Sequence, residues 1–187
     1  MDLSLNELAS LVKQASMGAG QPWGVAEEAG YAVKWLAARG QPGAAAIASV
    51  LESDSGGNPL TVGAMLSDDP DAVAAGFNET VAMPLLLAPF CAGIAGDLET
   101  AISIAWADGR LVTDGPDLWL EGTPPDVADI AVSATSVPEE PALMCTSRAD
   151  VPADVFARLT RLAERMLAPA TEESRRLGAG SSESDND

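Results

Sequence analysis

Residues 101–120 read Ala101-Ile102-Ser103-Ile104-Ala105-Trp106-Ala107-Asp108-Gly109-Arg110-Leu111-Val112-Thr113-Asp114-Gly115-Pro116-Asp117-Leu118-Trp119-Leu120, and their pattern decides the fold class. Ile102, Ile104 and Trp106 alternate with smaller residues up to the turn Ala107-Asp108-Gly109, and residues 111–113 return as a partner strand. Asp-Gly between two apolar alternations marks a hairpin, because these residues tolerate the positive φ of a tight turn. Asp114-Gly115-Pro116 makes a second turn before Leu118-Trp119-Leu120, so the stretch predicts an antiparallel meander. Residues 129–133 and 142–147 are expected as two further short strands, separated by a loop rich in Pro and Glu.

Outward from the meander the periodicity becomes helical. Ser4-Leu5-Asn6-Glu7 has the form of a capping box, followed by Leu5, Leu8, Leu11, Val12 and Ala15 at helical spacing. Gly18 and Gly20 stop that run, and Pro22 opens a second helix with Val25, Ala29, Ala32, Val33 and Leu36 on its buried face. Arg39-Gly40 closes it, the arginine complementing the helix dipole, and Pro42 opens a third helix to about Leu51. Residues 53–59 read as a loop and 60–66 as a brief strand. Asp68-Asp69-Pro70-Asp71 reads as a turn, with residues 71–75 as one helical turn. Residues 80–95 are apolar on all sides, which predicts deep burial, while Pro84 and Pro89 leave helix and strand both open. Phe156, Leu159, Leu162 and Met166 predict a long C-terminal helix ending by Pro169. The expected class is α+β: N-terminal helices, a small central antiparallel sheet and a long C-terminal helix. Residues 1–177 are expected as one domain, and 178–187, made of Gly, Ser, Glu, Asp and Asn with one Ala, as a disordered tail.

Twenty-eight acidic residues against ten basic ones leave a net charge of −18, which repels nucleic-acid backbones and anionic membrane surfaces. Neither is expected as a partner. The start Met1-Asp2-Leu3-Ser4 lacks the features of a secretory signal, so the expected location is the cytoplasm. With no histidine, the commonest general base and zinc ligand are missing, which excludes a conventional hydrolase triad. Cys91 and Cys145 are read as reduced, buried thiols. Asp68, Asp69 and Asp71 match no calcium loop, and neither metal nor cofactor is expected.

Ser4-Leu5-Asn6-Glu7, Gly18-Ala19-Gly20, Trp23-Gly24-Val25-Ala26-Glu27-Glu28-Ala29-Gly30, Pro169-Ala170-Thr171-Glu172-Glu173-Ser174-Arg175 and Gly178-Ala179-Gly180 together resemble the bacterial family known as domain of unknown function 3726. The resemblance implies a bacterial, soluble protein and assigns no activity.

Two groups of residues are candidates for chemistry. Glu27, Tyr31 and Lys34 recur at i, i+4 and i+7 and share a helix face that follows Trp23, while Glu28 points elsewhere. Without histidine, proton transfer would fall to Glu27 or Glu28, with Trp23 and Lys34 contacting a ligand. The plainer reading has both glutamates complementing the helix dipole and Trp23 in the core. Arg158, Arg161 and Arg165 form a positive stripe on the last helix, with Arg175 and Arg176 beyond it. Arginine forks hold carboxylate or phosphate, so Arg161, Arg165, Ser174 and Arg175 are expected to bind a small anionic molecule. The alternative is that the stripe pairs with the chain's own acidic surface or with a second subunit in a homo-oligomer.

Overall fold

The first helix starts where its capping box places it. The Glu7 N–H donates to Ser4 Oγ at 3.2 Å and the Ser4 N–H donates to Glu7 Oε2 at 2.7 Å, fixing the start of α1 (Leu5–Gly18) after a short strand β1 (Asp2–Ser4). The computed structural model describes residues 1–53 and 57–166. Helices α2 (Trp23–Ala37) and α3 (Gly43–Glu52) follow, then α4 (Pro59–Asp68) and the short α5 (Pro70–Ala75).

α1 lies between α2 and α7 (Ala153–Glu164). Two glycines permit this close packing. A Cβ on Gly30 of α2 would lie 2.8 Å from the Ala9 carbonyl oxygen, and a Cβ on Gly18 would collide with the Leu162 carbonyl of α7. The end of α7 is thereby brought beside the loop that leads into Trp23.

Residues 60–66 are helical, not the strand expected of them. The Asn58 side chain accepts from the Leu60 N–H at 3.0 Å and Pro59 sits in the first turn, while Leu60, Gly63 and Leu66 are buried at helical spacing. The all-apolar stretch divides. Strand β2 (Phe77–Ala82) ends at Met83, which has φ 44°, and Pro84 opens a 3-10 turn (Pro84–Leu87) that runs into α6 (Ala88–Leu98). Each proline occupies a first helical turn, where its missing N–H costs nothing.

The meander forms as β3 (Ala101–Trp106), β4 (Gly109–Thr113) and β5 (Leu118–Glu121), with Ile104 opposite Leu111 and Val112 opposite Trp119. Strand β6 (Val127–Thr135) inserts between β2 and β3, giving the antiparallel order β2-β6-β3-β4-β5. Ile102, Ile104, Leu111, Leu118, Ile130 and Val132 join the helices' apolar side chains in one cluster. On the opposite face Ala101, Val112 and Trp119 form a smaller cluster against Ala142, and Trp119 Nε1 donates to the Glu140 carbonyl at 2.7 Å.

Residues 142–147 form no strand. Their N–H groups go to separate partners, Leu143 to the Leu118 carbonyl at 2.8 Å and Thr146 to the Ala38 carbonyl at 2.6 Å, so no ladder develops. The strand here is β7 (Arg148–Asp150), paired antiparallel with β1. α7 has 12 residues, shorter than the long helix expected. Residues 178–187, read as a tail, lie outside the described residues.

Candidate functional site

α2 carries the candidate acidic residues, and its neighbours give them different surroundings. Lys13 of α1 donates to Glu27 Oε1 at 2.6 Å and stands 4.4 Å from the centroid of the Trp23 ring. Trp23 is 62% exposed, so it is held at the surface by the lysine and is not a core residue. Lys34 donates to Asn6 Oδ1 at 2.8 Å, which also turns it toward α1.

Glu28 lies on another side of α2. Its Oε2 is buried and has no hydrogen-bond partner among the described residues. Burial pushes the Glu28 carboxyl above its ordinary range, and the nearby Asp68 carboxylate adds to the shift. Glu27, Glu28 and Tyr31 of α2, Ser67 of α4, and Pro89 and Phe90 of α6 line a cavity of about 350 Å³. Gly63 of α4 shapes it, because the Phe90 ring occupies the space that a Cβ at 63 would need. Ser67 is held in place by donating to the Gly63 carbonyl at 3.0 Å.

The opposite end of α2 carries a buried cation. Arg39 is 9% exposed and its guanidinium lies 3.5 Å from the centroid of the Trp35 ring. It donates to the Trp35 carbonyl at 2.9 Å and to the Pro116 carbonyl in the β4–β5 turn, while its Nε has no partner among the described residues. Burial lowers its pKa, with Cys145, Tyr31, Asp117 and Asp114 acting in the other direction.

Of the expected site residues, the fold thus places Glu27 and Glu28 on one cavity, with Trp23 and Lys34 held against α1. Arg158 pairs internally with Glu52 of α3, Nη2 to Oε2 at 2.8 Å, as the self-pairing reading of the stripe expects. Arg161 and Arg165 are exposed, have no ion-pair partner among the described residues, and do not line the Glu28 cavity. Ser174 and Arg175 lie outside the described residues.

Cys91 is a core thiol on α6, pushed up to about 12 by burial. Cys145, expected to be buried, is exposed because its segment crosses the surface beside Ala38. Among the described residues, no three of His, Cys, Asp and Glu are grouped so as to hold a metal ion. No described helix is long and apolar enough to cross a membrane.

The sequence reading gave no role to Phe90 or Ser67, took Asp68 only as part of a turn, and missed the buried setting of Arg39. Arg39 was legible only as a helix-terminal cation. Gly63, three residues from Leu60 and Leu66, was the available signal for a close approach between helices.

The family resemblance holds over the N-terminal part of the chain. Residues 3–76, which carry α1 to α5 and the Trp23–Glu28 motif, match the family described as "Protein of unknown function (DUF3726)". Neither the curated proteins nor the solved structures contain a match to the chain.

Proposed function

We propose that this protein binds a small polar molecule in the cavity between α2, α4 and α6, with Glu28 as the group that holds it and exchanges a proton with it. The observation that carries the reading is the buried Glu28 Oε2, without a donor among the described residues, on a side chain that lines a cavity. An unmet buried acceptor costs roughly 1–3 kcal/mol, which a ligand's N–H or O–H recovers on binding. In a chain without histidine, a carboxyl whose hold on its proton is raised by burial is also the group left to exchange a proton with a ligand. The setting that goes with this reading is a bacterial cytoplasm, where free thiols such as Cys91 and Cys145 persist. Screening small metabolites by thermal shift against the wild type and Glu28→Gln tests it: hits that lose their effect in the variant are expected, and hits indifferent to it overturn the reading.

A second reading is assembly, favoured by the exposure of Arg161 and Arg165 without partners among the described residues. In a chain of charge −18, such a patch complements the acidic surface of another copy or of an acidic partner enzyme. Light scattering decides it. An oligomer that falls to monomers in Arg161→Glu/Arg165→Glu supports assembly, and a wild-type monomer rejects a homo-oligomer. The arginines also remain the chain's means of holding an anionic metabolite, at a place distinct from the Glu28 cavity.

A further inference from the structure

We infer that the molecule taken by the α2–α4–α6 cavity is an organic cation, a small ammonium compound with an apolar body. This rests on the reading that the cavity is a binding site, and it adds the ligand's charge and shape. Three observations carry it. First, the ionisable side chains facing the cavity are Glu27, Glu28 and Tyr31, with Asp68 beside them on α4, and α6 contributes only Pro89, Phe90 and Gly93. Lys13, which reaches Glu27 from α1, is engaged with that carboxylate and with the Trp23 ring. An anion would therefore meet carboxylates on a lining that, among the described residues, holds no Lys or Arg. Second, Glu28 Oε2 is a withdrawn acceptor with no donor among the described residues, which an N⁺–H group would satisfy once the side chain turns into the cavity it lines. Third, Phe90 and Tyr31 bring aromatic rings to the rim, and aromatic faces attract ammonium groups within ~6 Å of the ring centroid. A volume of about 350 Å³ suits a small molecule, not a peptide.

The net charge of −18 draws cations to the whole surface, so the experiment must separate a site from a cloud. Three probes of nearly equal shape do this: benzylammonium, benzyl alcohol and benzoate. Each is titrated into the full chain at neutral pH and about 0.15 M salt, where charges beyond ~8 Å are screened, while backbone amide signals are followed by NMR. Benzylammonium is expected to shift amides of α2, α4 and α6 to saturation, benzyl alcohol to bind about tenfold more weakly, and benzoate to leave them unmoved. Glu28→Gln is expected to weaken benzylammonium about tenfold, whereas Glu79→Gln, which removes a charge on β2, leaves it unchanged. Phe90→Leu, which keeps an apolar wall without the ring, is expected to weaken it severalfold. Benzoate binding at these amides as tightly as benzylammonium overturns the cation and leaves the small-molecule reading standing. Benzylammonium shifts that spread over the surface, or that are equal in Glu28→Gln, overturn the cation at this site. If none of the three probes moves these amides, the cation inference and the small-molecule reading fall together.

Discussion

The two ends of α2 handle a withdrawn charge in opposite ways. At the C-terminal end, Arg39 is stacked on Trp35 and tied to two carbonyls, one of them in the β4–β5 turn, so its charge joins the helix layer to the sheet. At the N-terminal end, Glu28 is withdrawn beside α4 and α6 with one oxygen unmet and a cavity next to it. The difference teaches that burial alone does not mark a site. A buried charge whose partners come from the fold is a fastener, and one left without a partner is available to something from outside.

The two thiols give the largest contrast between these ends. Cys145 sits on the exposed segment beside Ala38 and Arg39, while Cys91 is on α6 next to Phe90 and fully buried. A thiol-specific reagent is expected to label Cys145 in the native protein and Cys91 at least about a thousandfold more slowly, because its exposure requires opening the core. Comparable rates would mean that the cavity end opens readily and that the two ends are not as different as described.

Next in size is the fastener itself. Arg39→Met is expected to lower unfolding stability by about 3 kcal/mol in urea titrations, since it strands the Trp35 and Pro116 carbonyls. Arg39→Lys is expected to recover little of this, because an ammonium cannot stack flat and fork to two acceptors. A loss under about 0.5 kcal/mol, the level of an ordinary surface change, would break the assignment of Arg39 as the fastener.

At the other end, Gly63→Ala pushes a methyl into the Phe90 ring. A cost of about 2 kcal/mol is expected, with faster Cys91 labelling as α6 is displaced from α4. Unchanged labelling would show that Phe90 turns aside without disturbing the cavity wall.

The smallest effect concerns Glu28. Its folded pKa lies above the ordinary 4.5, so the folded state binds the proton more tightly than the unfolded one. The resulting stabilisation is full below pH 4.5 and is lost as pH rises through the folded pKa. Glu28→Gln escapes that loss, and is expected to equal the wild type at acid pH and exceed it at neutral pH by less than about 0.5 kcal/mol. Glu7 supplies the opposite sign in the same scan. Hydrogen bonds from Ser4 hold its carboxyl low, so its contribution is lost as pH falls. A Glu28→Gln variant less stable than wild type at neutral pH would mean that Glu28 has a partner after all.

Much of the helix and hairpin layout was legible because it rests on local chemistry. The Ser4–Glu7 box forms within four residues, and the β3–β4–β5 meander needs only alternation and two turns. Residues 60–66 were misread because the apolar run was weighed and Asn58-Pro59, a helix start, was not. Residues 80–95 stayed ambiguous for a physical reason: Pro84 and Pro89 break a helix in its interior and suit one in its first turn, and Met83 decides which by turning left-handed. That Glu27 and Glu28 face different ways was visible in the helical spacing, but what each of them meets was not. Adjacent residues on a helix point about 100° apart, so Glu27 meets Lys13 while Glu28 meets α4 and α6.

By itself, then, the sequence determined the α+β class, the caps, the meander, an acidic surface and a chemistry without histidine, all of which depend on composition or on neighbours within a few residues. Only the tertiary structure decided that α1 lies between α2 and α7, that Arg39 is fastened and Glu28 is not, and that Arg161 and Arg165 do not line the Glu28 cavity. These depend on contacts between residues tens of positions apart, and a side chain's partner across such a distance is set by packing, which no local pattern encodes.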